Sequence, residues 1–228
     1  MDPNRKLWNQ QQQVLQRALS RLDDHQKAIE LFLSQHAMLH SAKLVRSRLW
    51  SFEDEVWQDT TEEAIRCIPR GCDHSIAWCI WHLARIEDVT MNLLVAGSPQ
   101  LLHRDDWLKR MGITARDTGN AMDKASVARL STAIDIEALR AYRLAVGRRT
   151  REIVKRLLPE ELKQKIDPAR LQQVMAEGAL VEAASGIADY WGKRTIAGLL
   201  LMPPTRHTFL HLNEALRVKQ KCKSTAVK

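Results

Sequence analysis

Proline and glycine cut this 228-residue chain into long stretches whose apolar residues recur at the helical period, with no convincing run at the strand period. From Asp24 to about Trp50, Ile29, Leu33, Leu39 and Leu44 mark one face with no proline or glycine between them, and Asp23 or Asp24 is placed to cap the first turn. A second helix is expected from Asp73 or Ser75 to Val95, closed by Gly97 and Pro99. A third runs from about Ile136 to Leu158 and ends at Pro159. A fourth runs from Thr205 to Lys221 behind Pro203 and Pro204, since a missing amide costs nothing in a first helical turn.

Between these lie an acidic connection (53–63) with about one helical turn, an irregular stretch at 98–135 anchored by Trp107, and shorter helices near 169–182 and 190–201. Four principal helices, each burying one stripe, imply an all-α bundle with extra short helices beside it. The expected organisation is a polar extension at 1–23, the bundle at 24–221 and a basic tail at 222–228. The Gln10–Gln13 run and the lysine-rich end read as loose.

Composition narrows the function classes. Hydrophobic residues make up 45% and charged residues 27% of the chain, ordinary values for a globular domain. The net charge is +8 (35 basic minus 27 acidic), but there is no aromatic-interleaved basic stripe, zinc-finger spacing or helix-turn-helix pattern, which argues against sequence-specific nucleic-acid binding. Cys67, Cys72, Cys79 and Cys222 form no Cys-x-x-Cys pair, and no apolar segment follows the polar start, so a reduced, cytoplasmic protein is expected. The apolar run Ile196–Met202 is far too short to cross a bilayer. No Gly-x-Ser-x-Gly, Walker or Rossmann pattern is present, and no cysteine is placed as a nucleophile.

The histidines carry the chemistry. His207 and His211 are four apart on the last helix, so their β-carbons lie about 6 Å apart on one face and both rings can reach one ion. His82 sits in the tryptophan-rich stretch 75–88 and shares the core stripe with Trp78, Val89 and Leu93, where an unpaired ring would be costly. A metal shared with the last helix would satisfy it; so would a carboxylate or a backbone carbonyl. His36 and His40 form a second His-x-x-x-His near the apolar stripe of the first helix, either at the mouth of a metal cavity, in contact with substrate, or bonded to neighbours. Arg85, one turn after His82, is a candidate contact for an anionic substrate, as are Arg194 and Arg206.

The segment Trp81-His82-Leu83-Ala84-Arg85-Ile86-Glu87 resembles the Trp-His-Leu-x-His-Ile helix of DinB-like proteins, and His207-x-x-x-His211 behind a proline break resembles that family's other ligand pair. The likeness covers roughly residues 24–220. It implies a four-helix bundle of up-down-down-up type with His82, His207 and His211 holding one divalent ion of the zinc, nickel or iron class, in a protein that is often a homodimer. It also implies a small-molecule substrate and a metal-dependent reaction such as transfer of a low-molecular-weight thiol; the alternative is a non-catalytic, metal-stapled bundle acting in a stress response or as a binding partner. Two departures matter. Arg85 replaces a second histidine often found in the first motif, and Asn213 stands where sulfoxide-synthase relatives carry Glu, so sulfoxide synthesis of the ergothioneine type is not expected.

Overall fold

The computed structural model describes residues 2–21, 24–46 and 50–226. It is all-helical: the described residues contain no strand beyond one isolated bridge between Lys165 and Thr195. No helix among them is long and apolar enough to cross a membrane.

Helix α1 (Pro3–Arg21) packs on α2 (His25–Leu39), which Asp24 caps by accepting from the Lys27 amide at 2.9 Å. The alternative cap, Asp23, lies outside the described residues. Two short helices, α3 (Phe52–Trp57) and α4 (Glu62–Arg66), occupy the acidic connection. The central helix α5 (Ile76–Asp88) starts at Ser75, whose hydroxyl accepts from Trp78 N at 2.9 Å. It continues as a π-helical segment, Val89–Ala96, that stops at Gly97 in the left-handed conformation (φ 60°). Then come α6 (Trp107–Met111), α7 (Lys124–Ala133), the long α8 (Ile136–Arg156), α9 (Pro168–Ala176), α10 (Ser185–Gly192), α11 (Ile196–Leu200), a second π-helical segment (Met202–His207) and α12 (Thr208–Ala226).

Every residue of α5 is buried, because α8 and α12 pack along it while α4 and α7 cover its start. The expected single apolar stripe understates this helix. A helix enclosed on all sides carries its polar residues into the interior, where each needs a partner.

The structure departs from the sequence expectation at both ends. The glutamine-rich start is not loose: glutamine is a good helix former, and Trp8, Leu15 and Leu19 are buried on one side of α1. Trp8 stacks on Phe209 of α12 with ring centroids 4.0 Å apart and planes 4° from parallel. At the other end α12 continues through the lysine-rich segment, where Lys219 Nζ reaches the carbonyls of Glu55 (2.6 Å) and Gln58. Trp107 is buried as expected, but in a helical turn, and α7 gives order to a stretch expected to be irregular.

Pro203 and Pro204 act inside a helical path and do not simply open a helix. Neither can donate a backbone bond, and the chain passes them in π geometry, with the Thr205 hydroxyl on Leu200 O (2.8 Å) and the Thr208 hydroxyl on Pro203 O (3.0 Å). This segment ends at His207, so it sets how His207 is presented relative to His211 in α12.

Candidate metal centre

His82 on α5 is 2% exposed. Its Nδ1 contacts the carbonyl of Thr118. A carbonyl only accepts, so Nδ1 carries the hydrogen and Nε2 keeps a bare lone pair. That Nε2 lies 3.2 Å from Nε2 of His207. His211 is fixed from behind in the same way: its Nδ1 is 2.7 Å from Glu214 Oε2. The ring centroids are 5.0 Å apart for His82–His207, 4.8 Å for His82–His211 and 4.6 Å for His207–His211. One ligand-type atom from each ring falls within 4.8 Å of the other two. Tetrahedral ligands at zinc–nitrogen distances sit about 3.4 Å from each other, so the 3.2 Å approach suits two nitrogens sharing one ion.

The backbone that orients His82 depends on Gly119. Its φ of +80° suits glycine, and a β-carbon there would fall 2.6 Å from the Trp81 ring. With no side chain at 119, the Thr118 carbonyl comes within reach of α5. Glu214 is shared: Oε1 meets Nδ1 of His74 at 2.7 Å, and the His74 ring stacks on Trp78 (3.7 Å), which itself stacks on His82 (4.6 Å). His74, Glu214 and Thr118 thus form the outer support of the ligand set, the arrangement that fixes tautomer and ring orientation at metal-bound histidines.

Electrostatics favours the ligating form. Burial, then the neighbouring His211, pulls His82 from 6.5 down to about 3. Burial also holds His207 well below its ordinary value, helped by His82, His211 and the Arg143 charge. Burial alone would raise the Glu214 carboxyl, but the hydrogen bonds from His211 and His74 outweigh it and keep it ionised. Neutral His82 and His207 rings facing inward, with the anionic Glu214 behind His211, match a divalent cation. Among the described residues His207 Nδ1 is buried with no hydrogen-bond partner, so of the three rings this one lacks outer support. Cys79 also lies beside His211 and Glu214, but burial pushes its thiol well up, which keeps it protonated and apolar in character.

The other candidates are placed elsewhere. Arg85 does not point at an anionic substrate: Nη1 binds Asp88 (3.2 Å) and the Tyr142 hydroxyl (2.9 Å), and Nη2 binds Gln100 Oε1 and Arg116 O, each at 2.6 Å. A fully buried guanidinium must be paired in this way, and Asp88 completes the pairing by accepting from Tyr142 at 2.6 Å. Arg206 binds Asn9 at 2.8 Å, and exposed Arg194 lies over the Tyr190 ring. Asn213 bonds back to Phe209 O at 2.7 Å, and the acid that supports His211 is one position later, at 214. His36 and His40 are fully buried and meet Glu87 of α5, at 2.8 Å and 3.1 Å respectively, as a cluster of their own.

The family pattern of the DinB superfamily matches residues 47–215, a range that includes His82, His207 and His211. The chain belongs to the DinB superfamily. No curated protein matches it closely enough to add a more specific assignment. A helical DinB bundle in which histidines of α5, the second π-helical segment and α12 converge therefore describes the molecule, and the family motif, which points to position 213, does not reach Glu214 or His74. The His-x-x-Glu spacing at 211–214 was the available signal.

Proposed function

We propose that the protein is a metal-dependent DinB-type enzyme acting on a small molecule, with a low-molecular-weight thiol as co-substrate and a divalent ion of the zinc, nickel or iron class at His82, His207 and His211. The observation that supports it is the convergence of three imidazoles, two of them held from behind by Thr118 and Glu214. Three protein ligands leave a fourth position for water or thiolate, the arrangement of a reacting site and not of a closed structural one. A bound divalent ion supplies Lewis acidity and lowers the pKa of that fourth ligand. The chain's own residues position and protect: Glu214 and Thr118 hold the ring tautomers, Trp78 walls the site beside His82, and the partly exposed His74 and His211 mark its solvent side. From its cysteine usage and polar start the protein is proposed to act in the cytoplasm, and by resemblance to the family as a homodimer.

Thiol transfer to a panel of electrophiles, assayed with and without added metal and with His82→Ala as control, tests this reading. Metal-dependent turnover that the variant abolishes supports it. A variant that only melts earlier, from a parent with no turnover, supports the second reading of a metal staple, which the burial of His82 in the most enclosed helix favours.

A further inference from the structure

The metal centre leaves unused a second set of ligand-type groups, at the junction of α2, α5 and α8. His36 and His40, four apart at the end of α2, both turn their Nε2 atoms onto Glu87: His36 to Oε1 at 2.8 Å, His40 to Oε2 at 3.1 Å. Their rings lie 4.1 Å apart, and one donor atom from each of the three residues falls within 4.8 Å of the others. All three are buried in full. We infer that His36, His40 and Glu87 form a second divalent-cation site, separate from the first triad and independent of whether the protein is an enzyme.

Three features carry this beyond a chance cluster. The first is donor chemistry: two imidazoles and a carboxylate are the His-His-Glu set that divalent zinc accepts. The second is charge. Glu87 and Glu53 bring up to two negative charges, and Arg143 brings one positive through Nη1 on Glu87 Oε2 (2.6 Å) and Nε on Glu53 Oε2 (3.3 Å). Burial raises the Glu53 carboxyl, so the cluster without an ion lies between neutral and one net negative charge and can take up a cation. Arg143 occupies Oε2 and leaves Oε1 of Glu87 for the ion, the pattern of a ligating carboxylate whose other oxygen is hydrogen-bonded. The third is space. His40 fits because α8 carries Gly147 opposite it; a β-carbon there would lie 2.6 Å from His40 Nδ1. The competing account is a metal-free network in which both imidazoles donate to Glu87. That network, like the metal site, leaves Nδ1 of His36 with no hydrogen-bond partner among the described residues and Nδ1 of His40 4.0 Å from Glu53 Oε2.

Zinc counting separates the two. The intact protein, stripped with chelator and dialysed against zinc, is expected to hold two ions per chain by elemental analysis. The His207→Ala/His211→Ala variant, shown folded by circular dichroism, should keep one, and Glu87→Gln or His40→Ala in the intact background should also leave one. A folded double variant with no ion overturns the inference; a parent with one ion that the double variant keeps supports it and sets aside the first triad instead. If the Glu87 and His40 variants do not fold, the counts in the parent and the double variant still decide. Failure here leaves the first triad untouched, because a parent with one ion that is lost in the double variant is what that triad alone predicts.

Discussion

Nε2 of His82 lies 3.2 Å from Nε2 of His207, although 125 residues separate them in the chain. The contact joins the most enclosed helix to the π-helical segment before α12, so an ion held there ties together two elements that the rest of the core already packs. Metal should therefore stabilise the fold measurably. At a free metal concentration near 100 times the dissociation constant the gain is about 2.7 kcal/mol, and a chain of this size then melts roughly 5–10 °C higher. Calorimetry with zinc and with chelator checks this; equal melting temperatures would contradict it.

Glu214 holds His211 through Nδ1 at 2.7 Å and is itself held by His74. Glu214→Gln should weaken metal binding by about 10–100-fold, the usual cost of losing an outer partner, while the far-ultraviolet circular dichroism stays that of the parent. A competition titration with a chromophoric chelator reads the change. His74→Ala should act in the same direction and less strongly, since it removes one hydrogen bond from the carboxylate and leaves the one to His211.

The metal-free protein should lose stability in mild acid. His82 is about 3 when folded against 6.5 as an unperturbed side chain, so between those values the unfolded chain binds the extra proton and stability falls with falling pH. Burial lowers His36, His40 and His207 in the same sense, and Glu87, held well below its ordinary range by His40 and Arg143 against the effect of burial, adds a further loss below about pH 4.5. Glu53 works the other way, because burial raises its carboxyl. The net expectation is a loss of at least about 2 kcal/mol between about pH 7 and pH 5, read by denaturant unfolding in chelator. A flat profile would contradict the buried, neutral placement of these rings.

Trp8→Ala should cost about 3–5 kcal/mol, as large-to-small changes at buried aromatics do, because the indole stacks on Phe209 in the helix that carries His211. Denaturant unfolding checks the magnitude; a cost below about 1 kcal/mol would mean that α1 is not part of the folded core.

Gly147→Ala places a methyl group 2.6 Å from the His40 ring and should destabilise by about 1–3 kcal/mol, the range for overpacking a filled interior. The same change at Gly186, which has open space around it, is the control and should be close to neutral.

The placing of His207 and His211 on one face and the long helices were legible in the sequence because each rests on local periodicity: the two histidines are four apart, and α8 runs uninterrupted between Asp135 and the turn before Pro159. What was not legible depends on contacts between distant segments. The order of α1 comes from Trp8 meeting Phe209, and nothing near residue 8 announces that partner. Arg85 read as a substrate contact because it sits one turn from His82, yet the angle between successive positions on α5 turns it toward Asp88, Tyr142 and Gln100. His36 and His40 share the apolar stripe of α2, but their partner Glu87 is on α5 and their balancing charge, Arg143, on α8. The support of His82 by Thr118 comes from a loop with no helical period at all, and only Gly119 hinted at a close approach.

The most direct test of the whole account is a metal-affinity titration of the parent against His82→Ala, His207→Ala and His211→Ala, each confirmed folded. The account predicts that every one of the three lowers affinity at the first triad by more than the about 100-fold expected for losing an outer partner. Three folded variants that bind metal as tightly, and in the same number, as the parent would show that the rings of α5 and α12 meet around no ion.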